Sequence, residues 1–267
     1  MQAIDKDVAR ERAALPSESY RYRVAIALST AAVCLLLVNY LKYSSVFESA
    51  LQWFYALSEG DWRQQYRLLR NDTFYPLYSH LWWGAWQVIA FVLIPMLVIK
   101  FIFREQVRDY GLRIGKLAEH KWWYVLLGAP IICFALLASF RDDFTSHYPF
   151  YALAHRSWAD LLAWQLIYSI QFFCIEFFFR GFLLQSCRVP LGFNAIFVMS
   201  LPYLMLHFTK PWLEASGAIL FGLFLGILAM RSRTIWGGVM VHITIALTMD
   251  LAAMAQITGF PSVWWPG

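Results

Sequence analysis

Long apolar runs with few charges alternate with short polar stretches along this chain. The runs are Val24–Leu41, Leu81–Phe103, Trp122–Phe140, Trp158–Cys187, Phe193–Phe208, Gly217–Met230 and Ile235–Ile257. About 20 apolar residues span a bilayer as a helix, so the pattern predicts an all-α, polytopic membrane bundle of about seven transmembrane helices. Residues 1–23 are polar with mixed charge and read as a cytoplasmic N-terminal arm, mobile or lying on a surface. Residues 43–80 mix aromatic and charged positions. Trp53, Phe54, Trp62, Tyr66 and Leu69 suggest a helix in the headgroup layer. Trp82, Trp83 and Trp86 open the second span and Trp122 and Trp123 the third, as interfacial belts, and Trp264 and Trp265 read as anchors in the tail. Pro190 and Gly192 mark a turn, and Gly222 and Gly226 form a G-x-x-x-G that admits a close neighbour.

Composition agrees. The 267 residues are 60% hydrophobic and 15% charged, with a mean hydropathy of +0.51; soluble domains hold about 45–50% apolar and about 25% charged residues. The net charge of +5 fits cytoplasmic loops, and no basic stripe with interleaved aromatics points to nucleic acid. The first run follows an arm with acids as well as bases and precedes no A-x-A-like site, so it reads as a retained helix. Lys and Arg gather in the arm, in Arg104–Lys121, at Arg188 and at Arg231/Arg233, and thin out at 141–157 and 209–216. With the rich set inside, the N-terminus is cytoplasmic and the C-terminus outside. The expected location is a plasma (bacterial inner) membrane. Four cysteines form no C-x-x-C pair.

Ionisable residues inside such runs are functional candidates. Glu176 and Arg180 stand at i, i+4 within F-F-C-I-E-F-F-F-R-G-F-L-L and can pair on one helix face. His207 and His242 lie in or beside later spans. His147 and His155 read as solvated loop residues, with no ligand partner at metal spacing. A carboxylate can take a proton from water, and imidazoles can move protons or steady an oxyanion. Depths counted at ~1.5 Å per residue are roughly 18, 24 and 11 Å for Glu176, His207 and His242, so convergence requires tilt or a kink such as Pro202. No H-E-x-x-H occurs, and neither metal nor cofactor is expected.

The order E-x-x-x-R-G (Glu176, Arg180, Gly181), aromatic-x-x-x-H (Tyr203, His207) and a late His242 resembles the CPBP or Abi family, the CAAX prenyl proteases and bacteriocin-processing enzymes. The resemblance spans about Trp158–Ala252. It implies a glutamate-dependent, metal-independent intramembrane protease core, with catalytic Glu176, His207 and His242 and Arg180 as structural pair. The family's first motif is E-E-x-x-x-R, and its first glutamate activates water; here that position is Ile175. The last motif is H-x-x-x-N, whose Asn holds the oxyanion; here it is Ala246. The organisation implied is an arm (1–23), N-terminal membrane helices with an interfacial segment (24–157), the CPBP/Abi-like core (158–257) and a tail (258–267).

Three functions follow as expectations. The first is an intramembrane endopeptidase cleaving a membrane-associated protein or peptide. The second is a catalytically inactive member of the fold, acting as membrane adaptor, immunity factor or regulator. The third, a transporter, is ranked lowest because no repeated pair of broken helices appears. The protease reading is ranked above the inactive one because histidines otherwise have little reason to sit in apolar helices.

Overall fold

Within a bilayer every backbone N–H and C=O must be satisfied inside its own segment, and an uncharged run meets that demand as a helix. A computed structural model describes residues 2–13, 22–57, 61–210 and 212–267, and the described residues are helical with no strand. We label α1 (Gln2–Ala13), α2 (Arg23–Leu41), α3 (Ser44–Ala56), α4 (Trp62–Arg70), α5 (Tyr75–Phe103) and α6 (Leu117–Ala138). They are followed by α7 (Trp158–Glu176), a wide π-helical stretch Phe177–Leu183, α8 (Leu184–Leu191), α9 (Ala195–Met205), α10 (Trp212–Ser232) and α11 (Trp236–Ile257).

Among the described residues six stretches are long and apolar enough to cross a membrane, one of them Trp158–Met205 with 48 residues. At ~1.5 Å per residue that is over twice a ~30 Å hydrocarbon core. It is broken at Gly192, whose φ of +58° suits a residue without a side chain. The expected count of about seven helices therefore agrees. The expected fifth span, Phe193–Phe208, is shorter than read: α9 has 11 residues, and Leu206–Thr209 form a turn. The sixth starts earlier, at Trp212.

The chain divides into two units, Met1–Cys34 with Phe91–Leu127 and Phe173–Val241, and Leu35–Ala90 with Gly128–Phe172 and His242–Gly267. In the first unit the N-terminal arm is corrected. Over Gln2–Ala13 it is a docked helix, while residues 14–21 lie outside the described residues. Its charge obscured an apolar i, i+4 pair, Ile4 and Val8, both buried. Its polar side chains find partners on α8 and in the turn after it. Arg12 donates to the carbonyls of Val189 and Pro190, and Asp5 accepts from the Phe193 N–H at 3.0 Å. Glu11 accepts from Arg188 and Arg233, both at 2.6 Å. The loop after α5 joins the same network: Ile235 N–H donates to the Gly111 carbonyl and Lys116 N–H to the Ser232 carbonyl. The four basic segments assigned to one side of the membrane thus gather in one unit. The G-x-x-x-G stripe does admit a neighbour: Cβ atoms at Gly222 and Gly226 would come within 3.0 Å of Tyr203 and 2.9 Å of Ile196 on α9.

The second unit is built on an apolar cluster of Leu77, Tyr151, Leu161, Trp164, Ile167, Tyr168, Ala246 and Met254. The expected single interfacial helix is two, α3 and α4. Phe47 of α3 packs on Tyr75 and Trp82 of α5, and Asp61 caps α4 by accepting from the N–H groups of Arg63 and Gln64. The first N–H groups of α7 are met by the tail, Trp158 N–H by the Val263 carbonyl at 3.0 Å and Ala159 N–H by that of Trp264 at 3.1 Å. Ser157 and Asp160 add a reciprocal cap, which Arg156 and Tyr151 complete. Asp250 of α11, fully buried, accepts from Trp164 Nε1 at 2.6 Å and from Phe150 N–H at 3.3 Å.

Candidate functional site

The i, i+4 spacing of Glu176 and Arg180 delivers the expected pair. Arg180 Nη1 donates to Glu176 Oε1 at 2.9 Å, with the side chains 0% and 1% exposed. Arg180 Nε and Nη2 find no hydrogen-bond acceptor among the described residues. The guanidinium is met instead by the Tyr203 ring, 4.1 Å from its centroid, so a π face supplies part of the missing stabilisation. Tyr203 is itself buried. One turn on, His207 lies in the turn that ends α9, half-buried, its ring 4.8 Å from that of Tyr203. Its Nδ1 is 3.1 Å from the Tyr203 carbonyl oxygen. Glu176, Arg180, Tyr203 and His207 therefore form one connected chain of contacts inside the first unit.

Two glycines complete it. A Cβ at Gly181 would fall 2.7 Å from the Tyr110 carbonyl oxygen, so the Gly that follows Arg180 lets the loop after α5 close down. A Cβ at Gly238 would fall 2.3 Å from Glu176 Oε2, so α11 presents bare backbone to the carboxylate. Beside it, Gly237 does the same for the Tyr124 ring, whose hydroxyl hydrogen-bonds Ser232 Oγ at 3.0 Å. The sequence signal for this notch was the pair Gly237-Gly238 opening an apolar helix, and it was missed. Tyr124 carried no signal of its own.

The remaining candidates are distributed differently. His242 lies on α11 and falls in the second unit, 8% exposed, its ring stacked on Phe172 at 5.5 Å. Ala246, one turn later, is buried in the apolar cluster with Leu77 and Trp164 and offers no donor. Ile175 is buried beside Glu176. Neither position supplies the polar group found there in the resembled family. Asp250 and its donor Trp164 are a buried polar contact that sequence reading did not resolve; a carboxylate two turns after His242 was the available cue. No group of three or more His, Cys, Asp or Glu side chains stands close enough to hold a metal among the described residues.

No curated protein and no solved structure matches the chain. One family does match over part of it: residues 156–248, the segment that carries Glu176, Arg180, His207 and His242, are similar to the family described as type II CAAX prenyl endopeptidase Rce1-like.

Proposed function

We propose that this integral membrane protein is an intramembrane endopeptidase of the CAAX-protease type, cleaving a membrane-associated protein or peptide in a plasma (bacterial inner) membrane. The observation that carries the reading is the setting of His207. A carbonyl oxygen only accepts, so the contact with Tyr203 fixes the proton of the neutral imidazole on Nδ1 and makes Nε2 the basic nitrogen. In the proposed reaction Nε2 takes a proton from water as the water oxygen attacks the scissile carbonyl carbon. The same proton passes to the amine as the C–N bond breaks, leaving a carboxyl and an amino terminus. His242 is the second catalytic candidate, by the resemblance. Glu176, the remaining glutamate that a protease would have to recruit as base because Ile175 occupies the family's water-activating position, is given a positioning role instead. Its oxygens face Arg180 and the backbone of Gly238, and the pair steadies Tyr203, which orients His207.

A non-catalytic adaptor or regulator of the same fold is the second reading. What favours it is the apolar burial of Ile175 and Ala246, where the family places its water-activating glutamate and oxyanion-holding asparagine. The two readings separate in comparative membrane and secreted peptidomics of cells that express the parent, His207→Ala, His242→Ala or no protein. Cleavage predicts a peptide terminus that is present with the parent and lost in the other three strains. Full complementation of the cellular phenotype by both histidine variants would replace the protease reading with the adaptor one.

A further inference from the structure

Apart from Glu176 and the histidines, Arg108, Asp109, Arg113, Gln185, Arg188 and Arg233 line a cavity of about 260 Å³ in the first unit. Each lies where a span ends. Arg108, Asp109 and Arg113 are in the loop between α5 and α6, Gln185 and Arg188 are in α8 just before the break at Gly192, and Arg233 is in the turn between α10 and α11. The acids present are already engaged. Asp109 pairs with Arg113 at 2.5 Å, and Glu11 bridges Arg188 and Arg233. Four arginines less Asp109, Glu11 and Asp7, whose charge also reaches Arg188, leave one positive charge in excess. The Arg188 side chain is 12% exposed, and its Nε has no hydrogen-bond partner among the described residues.

We infer that this cavity binds a phosphate group, supplied by the headgroup of an anionic phospholipid. Guanidinium forks match phosphate oxygens in a bidentate way that ammonium groups do not. Basic pockets at the ends of transmembrane helices on the positively charged side of a protein are the chemistry that holds anionic headgroups. The Glu11 carboxylate, gripped by two guanidiniums, shows that Arg188 and Arg233 are arranged to receive an anion. Arg108 and Arg113 then supply the charge that the internal carboxylate does not meet. The ligand would join the loop between α5 and α6, α8 and the α10–α11 turn around one anion. This inference is independent of peptidase activity.

The test uses the full chain in nanodiscs of phosphatidylcholine, with and without phosphatidylglycerol, read by native mass spectrometry of retained lipid. Inorganic phosphate is added in a separate arm. The variant is Arg108→Gln with Arg113→Gln, since Arg113 is 56% exposed and neither side chain holds α1. Arg70→Gln on α4 is the control, and melting in phosphatidylcholine alone checks that each variant is folded. The parent should retain phosphatidylglycerol selectively, and the control should match it. The double variant should bind phosphatidylglycerol about 30-fold more weakly, equivalent to about 2 kcal/mol at about 1 kcal/mol per basic residue near anionic lipid. Equal retention of the two lipids by the parent, or unchanged selectivity in the folded double variant, overturns the inference. Displacement of phosphatidylglycerol by millimolar inorganic phosphate would overturn the lipid assignment and leave a soluble phosphate as the ligand.

Discussion

Gly238→Ala is the sharpest test of the geometry around Glu176. On helix propensity alone the change should stabilise α11 by about 0.5–1 kcal/mol. The structure predicts the opposite sign. The new methyl would lie 2.3 Å from Glu176 Oε2 and 2.8 Å from its carboxyl carbon. Real Cβ contacts do not close to such distances, so the carboxylate or the helix must move. Overpacking of this kind costs about 1–3 kcal/mol. Displacing the carboxylate also loosens a buried ion pair, whose full disruption costs about 3–5 kcal/mol. Offset by the propensity gain, the expected net loss is about 2 kcal/mol, a fall of roughly 4–8 °C in Tm for a chain of this size. Gly217→Ala on α10 is the internal reference, because a Cβ there meets nothing within 4 Å. Thermal unfolding of both variants in one detergent decides the matter. If Gly238→Ala melts at or above the parent while Gly217→Ala behaves as expected, α11 does not abut the Glu176 carboxylate.

Arg180→Ala leaves Glu176 buried without its guanidinium and should cost about 3–5 kcal/mol, seen as a lower Tm and lower accumulation in membranes; parent-like melting would show the pair to be solvated. Glu11 titrates outside the spans. Burial raises its pKa, but hydrogen bonds and charges from Arg233 and Arg188 outweigh this and hold it below the ordinary carboxylate value. Its docking contribution is therefore complete above the unfolded pKa of about 4.3 and disappears as pH falls through the lower folded value. Hydrogen exchange of Gln2–Ala13 should accelerate in that acid window, and Glu11→Gln should exchange fast already at pH 7; pH-independent protection in the parent would refute the assignment. Trp164→Phe removes the 2.6 Å donor to Asp250 and should destabilise by about 1–3 kcal/mol in the same melting assay; an unchanged Tm would show that the other donors suffice. For orientation, a thiol reagent applied from outside should label Ser146→Cys and spare Lys116→Cys, and the reverse pattern would invert the topology.

The sequence made local relations legible and left inter-helix registry hidden. The spans and the Glu176–Arg180 pair follow from length and i, i+4 geometry. The four-residue spacing of Tyr203 and His207 likewise places an imidazole over the carbonyl one turn back. The cradle around them did not follow. Helices α7, α10 and α11 are apolar nearly all round, so periodicity names no buried face. Nothing local says that Gly238 meets Glu176, that Gly181 meets Tyr110, or that Trp164 meets Asp250. The docking of α1 was obscured for another reason: Ile4 and Val8 make a narrow stripe in a charged segment, and the partners of Glu11 lie far along the chain, at Arg188 and Arg233. The shortness of α9 was hidden because an apolar turn, Leu206 to Phe208, extends the run past the helix end.

Two of the buried acids, Glu176 and Asp250, are reached by very different partners and imply different routes into the bilayer. A charged residue at the centre of a span raises the insertion free energy by about 2.5–3.5 kcal/mol on translocon scales. Glu176 travels with its counter-ion one turn away on the same segment, so that stretch can leave the translocon as an electrically neutral unit. Asp250 has no such companion within α11; its strong donor, Trp164, belongs to α7. The last span therefore gains its Trp164 contact only once α7 is beside it, and the expected order of insertion is α7 before α11.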